Sequence, residues 1–149
     1  GLEDRFISNE FKNGDDLFVS FHSPVDGYLA IYISNKNIVQ RLLPYKMQNE
    51  SSYKVRKNEK YIFFSMNHAE DKLNNVVTPL TIYTDLDVEY DDVYIIFSPN
   101  EFSVAADSQS VSDKYIQELK YESFRRWLSR AKSQDYDLNY DVVHIKITK

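Results

Sequence analysis

Leu17-Phe18-Val19-Ser20-Phe21-His22 and, past Ser23-Pro24-Val25-Asp26-Gly27, the run Tyr28-Leu29-Ala30-Ile31-Tyr32-Ile33 decide the fold class. Side chains leave a strand by alternate faces, so Leu17, Val19 and Phe21 share one face while Phe18, Ser20 and His22 share the other. This alternation predicts a half-buried strand with its first set turned to the core. Pro24 and the Asp26-Gly27 pair suit a tight turn, and residues 16–33 then read as a β-hairpin.

Working outward, Asn35-Lys36-Asn37 turns the chain into a third strand at Ile38–Leu43, which Pro44 ends, and the three strands make a meander. With only three glycines, Asn must supply turns that need a positive φ, as at Asn35-Lys36-Asn37 and Asn74-Asn75. Residues 53–56 and 61–66 are strand candidates joined by Lys57-Asn58-Glu59-Lys60. Residues 67–75 read as a polar loop, and Pro79 opens another strand at 80–84. The continuous apolar run at 93–97 predicts a central strand stopped by Pro99-Asn100, and the aperiodic residues 103–113 form a loop. Over 121–132, Tyr121, Phe124, Trp127, Leu128 and Ala131 make one apolar stripe at helical spacing, with Trp127 in the core. Residues 113–119 extend this helix backwards. Val143, Ile145 and Ile147 then alternate with His144, Lys146 and Thr148 in a final strand.

The expected architecture is mainly β: an antiparallel, immunoglobulin-like β-sandwich of roughly seven to nine strands. One C-terminal amphipathic helix before the last strand packs across an edge or an open end. A closed barrel is the alternative. The chain reads as one domain, 1–149, and folding a chain of this length buries roughly 70% of its extended surface.

Composition removes several function classes. There is no Cys, which removes disulfides, thiolate metal sites and Cys nucleophiles. The formal charge of −5 opposes wholesale nucleic-acid binding, which needs a net basic surface. No stretch approaches the ~20 apolar residues of a membrane helix. Only Gly14 and Gly27 lie inside the chain, so a glycine-rich phosphate loop is ruled out, and no Gly-x-Ser-x-Gly elbow occurs. Gly1 in place of Met predicts that the natural chain extends upstream, into a signal peptide, a lipid-anchor segment or another domain.

Phe18-Val19-Ser20-Phe21, Ser23, Asp26-Gly27-Tyr28-Leu29-Ala30-Ile31-Tyr32 and Leu42-Leu43-Pro44-Tyr45 together resemble a bacterial family called domain of unknown function 4384. Asn58, Tyr61 and the strand from Val93 to Ser98 fit the later part of its pattern, so the resemblance covers residues 15–100. Phe124-Arg125-Arg126-Trp127-Leu128 is similar to a C-terminal addition in relatives from gut Bacteroidetes, which places residues 113–149 outside the family core. The resemblance implies an exported, non-catalytic accessory module at the cell envelope, periplasmic or extracellular, with a protein-interaction or spacer role. It brings no catalytic residues and no cofactor.

Few residues are candidates for chemistry. A catalytic or metal-bound His needs a carboxylate or second ligand converging on it, and His22, His68 and His144 have none at ligand spacing. Asp85, Asp87, Glu89 and Asp91 form the best candidate for a ligand site. An extended chain puts them on one face and Leu86, Val88 and Tyr90 on the other, so the run reads as the solvated face or edge protection of a strand. Arg125, Arg126 and Arg130 give the helix a basic outer face, read as solvated, although an anionic partner could use it. The twelve tyrosines permit a sugar-stacking platform, so a glycan- or peptidoglycan-binding module is the second functional expectation. The acidic run lacks the wrapped Asp-x-Asp-x-Asp-Gly loop of a calcium site. Millimolar Ca²⁺ is therefore expected to leave the melting temperature unchanged; a rise of several degrees that Asp87→Asn with Asp91→Asn abolishes would contradict this.

Overall fold

The computed structural model of the chain describes residues 4–35, 37–45, 52–65, 79–105 and 118–149. Among them are ten strands and one helix: β1 (Asp4–Phe6), β2 (Glu10–Lys12), β3 (Val19–His22), β4 (Gly27–Ser34), β5 (Ile38–Leu43), β6 (Tyr53–Val55), β7 (Lys60–Phe63), β8 (Val88–Ser98), β9 (Glu118–Lys120), α1 (Tyr121–Gln134) and β10 (Asn139–Thr148). The protein is mainly β. A small sheet runs β1-β3-β7 and a large one β2-β10-β8-β4-β5-β9, with β6 also paired to β4. Pairing is antiparallel except between β10 and β2. Both sheets are open, so the described strands close no barrel.

The apolar run at 93–97 seeds β8, which lies between β10 and β4. Its side chains feed two cores. Val93, Ile95 and Phe97 join Leu29 and Ile31 of β4, Ile145 and Ile147 of β10, Val19 and Phe21 of β3, and Phe63 of β7, filling the space between the two sheets. Tyr94 and Ile96 face the other way, where they meet Ala30, Tyr32, Phe124 and Leu128 beneath α1. The helix therefore covers a face of the large sheet and not the edge or open end that the sequence predicts. The strand alternation leaves an apolar surface on that face as well, and the stripe on α1 buries it. Phe124 is fully buried in this contact, with ring centroids 4.8 Å from Tyr32 and 4.9 Å from Tyr94.

The expected hairpin over 16–33 does not form. Leu17, Val19 and Phe21 face the core as predicted. However, β3 pairs with β1 and β7, whereas β4 pairs with β5, β6 and β8. Residues 23–26 are a crossing between sheets, held by local polar contacts. The Ser23 hydroxyl donates to the Val25 carbonyl at 2.8 Å and accepts from its N–H at 3.2 Å. From the β6–β7 connection, Lys57 N–H donates to Asp26 Oδ1 and Asn58 N–H to the Ser23 carbonyl, each at 2.7 Å. Gly27 is not a positive-φ turn residue either. Its role is close approach: a Cβ there would lie 2.5 Å from Phe97 Cε2 and 2.7 Å from the Ser98 carbonyl oxygen.

Only β4 and β5 survive of the meander. Asn35 serves their turn through its side chain, Oδ1 accepting from the N–H groups of Asn37 (3.1 Å) and Ile38 (3.0 Å). Positive φ is found at Gly14, Asn58 and Phe64 instead, and Asn74-Asn75 lies outside the described residues. The strand predicted at 80–84 is a single bridge between Thr81 and Asp16. Its backbone is spent on residues 14–17, through Leu17 N–H to Leu80 O (2.9 Å) and Ile82 N–H to Asp15 O (2.8 Å). Residues 118–119, expected as helix, belong to β9, whose backbone pairs with β5. The predicted 67–75 loop lies outside the described residues, as does 106–113 of the loop at 103–113.

Trp127 is half-buried, not in the core interior. Its ring rests on Phe124 and Tyr32, and its Nε1–H donates to the Ser103 carbonyl at 3.0 Å, which holds the indole at the border between α1 and the 101–105 segment. Phe124→Ala is thus expected to cost about 3–5 kcal/mol in urea unfolding and Trp127→Ala distinctly less. Gly27→Ala should cost about 1–3 kcal/mol through overpacking against Phe97. An equal cost at Trp127 and Phe124, or a neutral Gly27→Ala, would contradict this packing.

Candidate functional site

The alternation that carries Val93, Ile95 and Phe97 into the intersheet core continues towards the start of β8, and there it carries Asp91 and Glu89 inward. The expected solvated acidic face is therefore inverted. Asp91 is only 8% exposed and Glu89 is half-buried, whereas Leu86 and Tyr90 are 58% and 60% exposed. Asp85 and Asp87 do remain solvated, but in the bend before β8 and not on the strand.

Glu89 and Asp91 line a cleft of about 220 Å³ at the end of the large sheet, where β4 stops and β5 begins. A third carboxylate comes from Glu118 of β9, whose register partner Gln40 donates Nε2–H to Glu118 Oε1 at 3.5 Å. Asn35 adds a second amide side chain, and Ile33, Ile38, Ile82 and Ile147 supply aliphatic wall. The remaining side is residues 80–83, fixed by their backbone bonds to 14–17 and by Thr81 Oγ1 donating to Asp16 Oδ1 at 3.1 Å. Tyr83 of this segment also lines the cleft and is 71% exposed. Thr84 follows and sets Glu89: its hydroxyl donates to Glu89 Oε1 at 3.0 Å, while its N–H donates to Asn13 Oδ1 at 2.9 Å.

The electrostatics centre on Asp91. Desolvation by burial, then the hydrogen bond with Glu89 and the charges of Glu89 and Asp92, push its carboxyl up to about 7. Asp91 thus keeps a proton up to about pH 7. Asp91 Oδ1 is buried without a hydrogen-bond partner, which is costly unless something else satisfies it. Among the described lining residues there is no Lys or Arg. The arrangement can accept hydrogen bonds from a ligand and can exchange a proton with it.

The other candidates do not converge here. Arg125, Arg126 and Arg130 are exposed on the outer side of α1, with Arg125 Nη1 donating to Tyr121 Oη at 3.0 Å and Arg126 Nη2 to Ser123 Oγ at 3.4 Å. His144 pairs with Asp92 on the opposite face of the large sheet, His22 lies half-buried on β3, and His68 falls outside the described residues. The exposed tyrosines are dispersed: Tyr83 at the cleft, Tyr90 on the other side of β8, and Tyr136 and Tyr140 towards the opposite end of that sheet. Among the described residues no group of three or more His, Asp or Glu side chains could hold a metal ion. Comparison with protein-family models, curated proteins and solved structures finds no significant match to the chain.

The sequence reads Glu89 and Asp91 as part of an extended run of its own with a solvated acidic face; the structure joins them to the 93–97 strand in β8 and turns that face inward. The usable signal was parity, because positions 89 and 91 share their phase with 93, 95 and 97. Glu118, Gln40 and Tyr83 reach the cleft through long-range pairing and carry no local signature.

A raised carboxyl couples stability to pH. Below the ordinary Asp value near 3.9, Asp91 is protonated whether the chain is folded or unfolded. As pH rises from there to about 7, the folded protein keeps a proton that the unfolded chain has lost, so stability falls through that window and levels off above it. Asp91→Asn is expected to abolish this decline, raising the melting temperature at pH 8 by on the order of 5 °C while changing it little at pH 4. Parallel pH profiles for the two proteins would refute the assignment.

Proposed function

We propose that this chain is a non-catalytic binding module of the cell envelope, acting outside the cytoplasmic membrane, with the acidic cleft as its ligand site. The observation that carries this reading is the unpartnered, buried Oδ1 of Asp91 within a cleft lined by two further carboxylates. Such a group is expensive to leave alone and is satisfied by a ligand's donor.

The placement of Glu89 and Asp91 supports binding over hydrolysis of a sugar polymer. Glycosidases hold their two carboxyls on either side of the scissile bond, whereas here both project from the same face of one strand, two positions apart on β8. No histidine lines the cleft among the described residues. A protein partner is favoured by exposed apolar side chains around this end of β8, with Tyr83 at the cleft, Leu86 in the bend before the strand, and Val88 and Tyr90 on its other face. A glycan is the second reading, favoured by Tyr83, whose exposed ring could stack on a sugar. The envelope location rests on the resemblance of the β3–β5 sequence to domain of unknown function 4384. The two stacked sheets support a β-sandwich architecture, which we take to be of immunoglobulin-like kind. Among the described residues no helix is long and apolar enough to cross a membrane.

The test combines a glycan array with cross-linking capture from envelope extracts. Glu89→Gln and Glu118→Gln should each weaken the captured interaction about ten-fold, the cost of losing one charged hydrogen bond. Replacing His22, His68 and His144 together by Gln should leave it intact. Turnover of an envelope polymer that disappears in a folded Asp91→Asn protein would overturn the proposal.

A further inference from the structure

We infer that the acidic cleft binds a primary ammonium group carried on an alkyl chain, the chemistry shared by a lysine side chain of a partner protein and a free alkylamine. The inference rests on the binding reading above and names the ligand class for that same site.

Charge comes first. Glu89, Asp91 and Glu118 all line a cleft whose described lining offers no cation of its own, although the chain has 18 Lys and Arg residues. Of these carboxyls, Glu89 and Glu118 have partial partners in Thr84 and Gln40, and Asp91 Oδ1 has none. An ammonium carries its donors on one compact, freely rotating centre, so it can serve Asp91 together with a neighbouring acceptor such as Glu89; a guanidinium's planar fork suits a single carboxylate taken edge-on.

Shape gives the second argument. Ile33, Ile38, Leu80, Ile82 and Ile147 are among the lining residues, and their aliphatic surface suits methylenes. The volume of about 220 Å³ lies below the ~300–1,000 Å³ of pockets for drug-sized ligands and fits one extended side chain. Tyr83, exposed beside the carboxylates, can set its ring face against the cation as it enters. A lone metal ion is disfavoured, because the described acids do not form a metal-holding group.

Binding must also displace the proton that Asp91 keeps up to about pH 7. Around Asp91, its own strand presents Glu89 and Asp92, β9 presents Glu118 and the 80–83 segment presents Tyr83, while β4 and β10 contribute Ile33 and Ile147. No cation in this set opposes the release, so affinity for the ammonium rises with pH towards about 7 and then levels off.

The experiment is an NMR titration of the full chain with four probes: Nα-acetyl-lysine methylamide, cadaverine, the uncharged isostere Nα-acetyl-norleucine methylamide, and N-acetylglucosamine. Both ammonium probes should shift the amide signals of Thr84, Glu89, Asp91 and Glu118, and the norleucine probe should not. Glu89→Gln, in which the amide oxygen can still accept from Thr84, should lower ammonium affinity about ten-fold, as should Glu118→Gln. Tighter binding of the lysine probe than of cadaverine assigns the ligand to a protein, and the reverse order to a free amine; either order supports the inference. Equal response to lysine and norleucine probes overturns it. If N-acetylglucosamine moves the cleft signals and the amines do not, the ammonium is wrong and the binding module stands. If no probe moves them and envelope extracts yield no capture that depends on Glu89 or Glu118, the binding reading falls as well.

Discussion

The described residues are arranged around a central strand whose second half has no free face. β8 is hydrogen-bonded to β10 on one side and β4 on the other, and over residues 93–97 each of its surfaces faces a core. A strand in that position fixes the face of every side chain on its neighbours, since a slip of one residue would exchange the two cores. The constraint also explains Gly27. Where β4 starts against the end of β8, the Phe97 ring occupies the space of a Cβ, and only glycine lets the two strands stay in register.

The same rigidity produces the cleft. Alternation does not stop where the apolar sequence stops, so beyond Val93 the inward positions are taken by Asp91 and Glu89. An exposed carboxylate costs nothing to hold, whereas one enclosed against isoleucines must be neutralised, paired or satisfied by something else. The protein does some of each: Asp91 keeps a proton up to about pH 7, Thr84 supports Glu89, and one oxygen of Asp91 is left over. A departure from the usual partition of polar and apolar groups at the end of a well-formed strand is where function is expected to concentrate.

Local pattern was sufficient for much of the secondary structure and failed where partners are remote. The stripe of Tyr121, Phe124, Trp127, Leu128 and Ala131 and the alternation at Val143, Ile145 and Ile147 are complete within their own segments, and both were legible. Ser23-Pro24-Val25-Asp26-Gly27 looked like a hairpin turn because its composition is that of one. Its actual partners, Lys57 and Asn58, lie some thirty residues away and leave no mark on residues 23–27. Residues 80–84 failed for the same reason, their backbone groups being taken by residues 14–17. In the candidate site, Asp91 could have been oriented by counting in twos from Phe97, but the approach of Glu118 depends on β9 finding β5.

The pairing of β10 sets an order of events in time. This last strand lies between β8 and β2, and β2 has no other strand partner among the described residues. During synthesis from the N-terminus, β2, β8 and the inner surface they help to enclose must wait for Ile145 and Ile147 to emerge. Contacts so distant along the chain also slow the search for the native state. Until β10 arrives, the nascent chain carries an open strand edge beside half of its core. A chain that cannot close early stays extensible, which is the condition in which a polypeptide can still be threaded through a narrow channel or held by a chaperone.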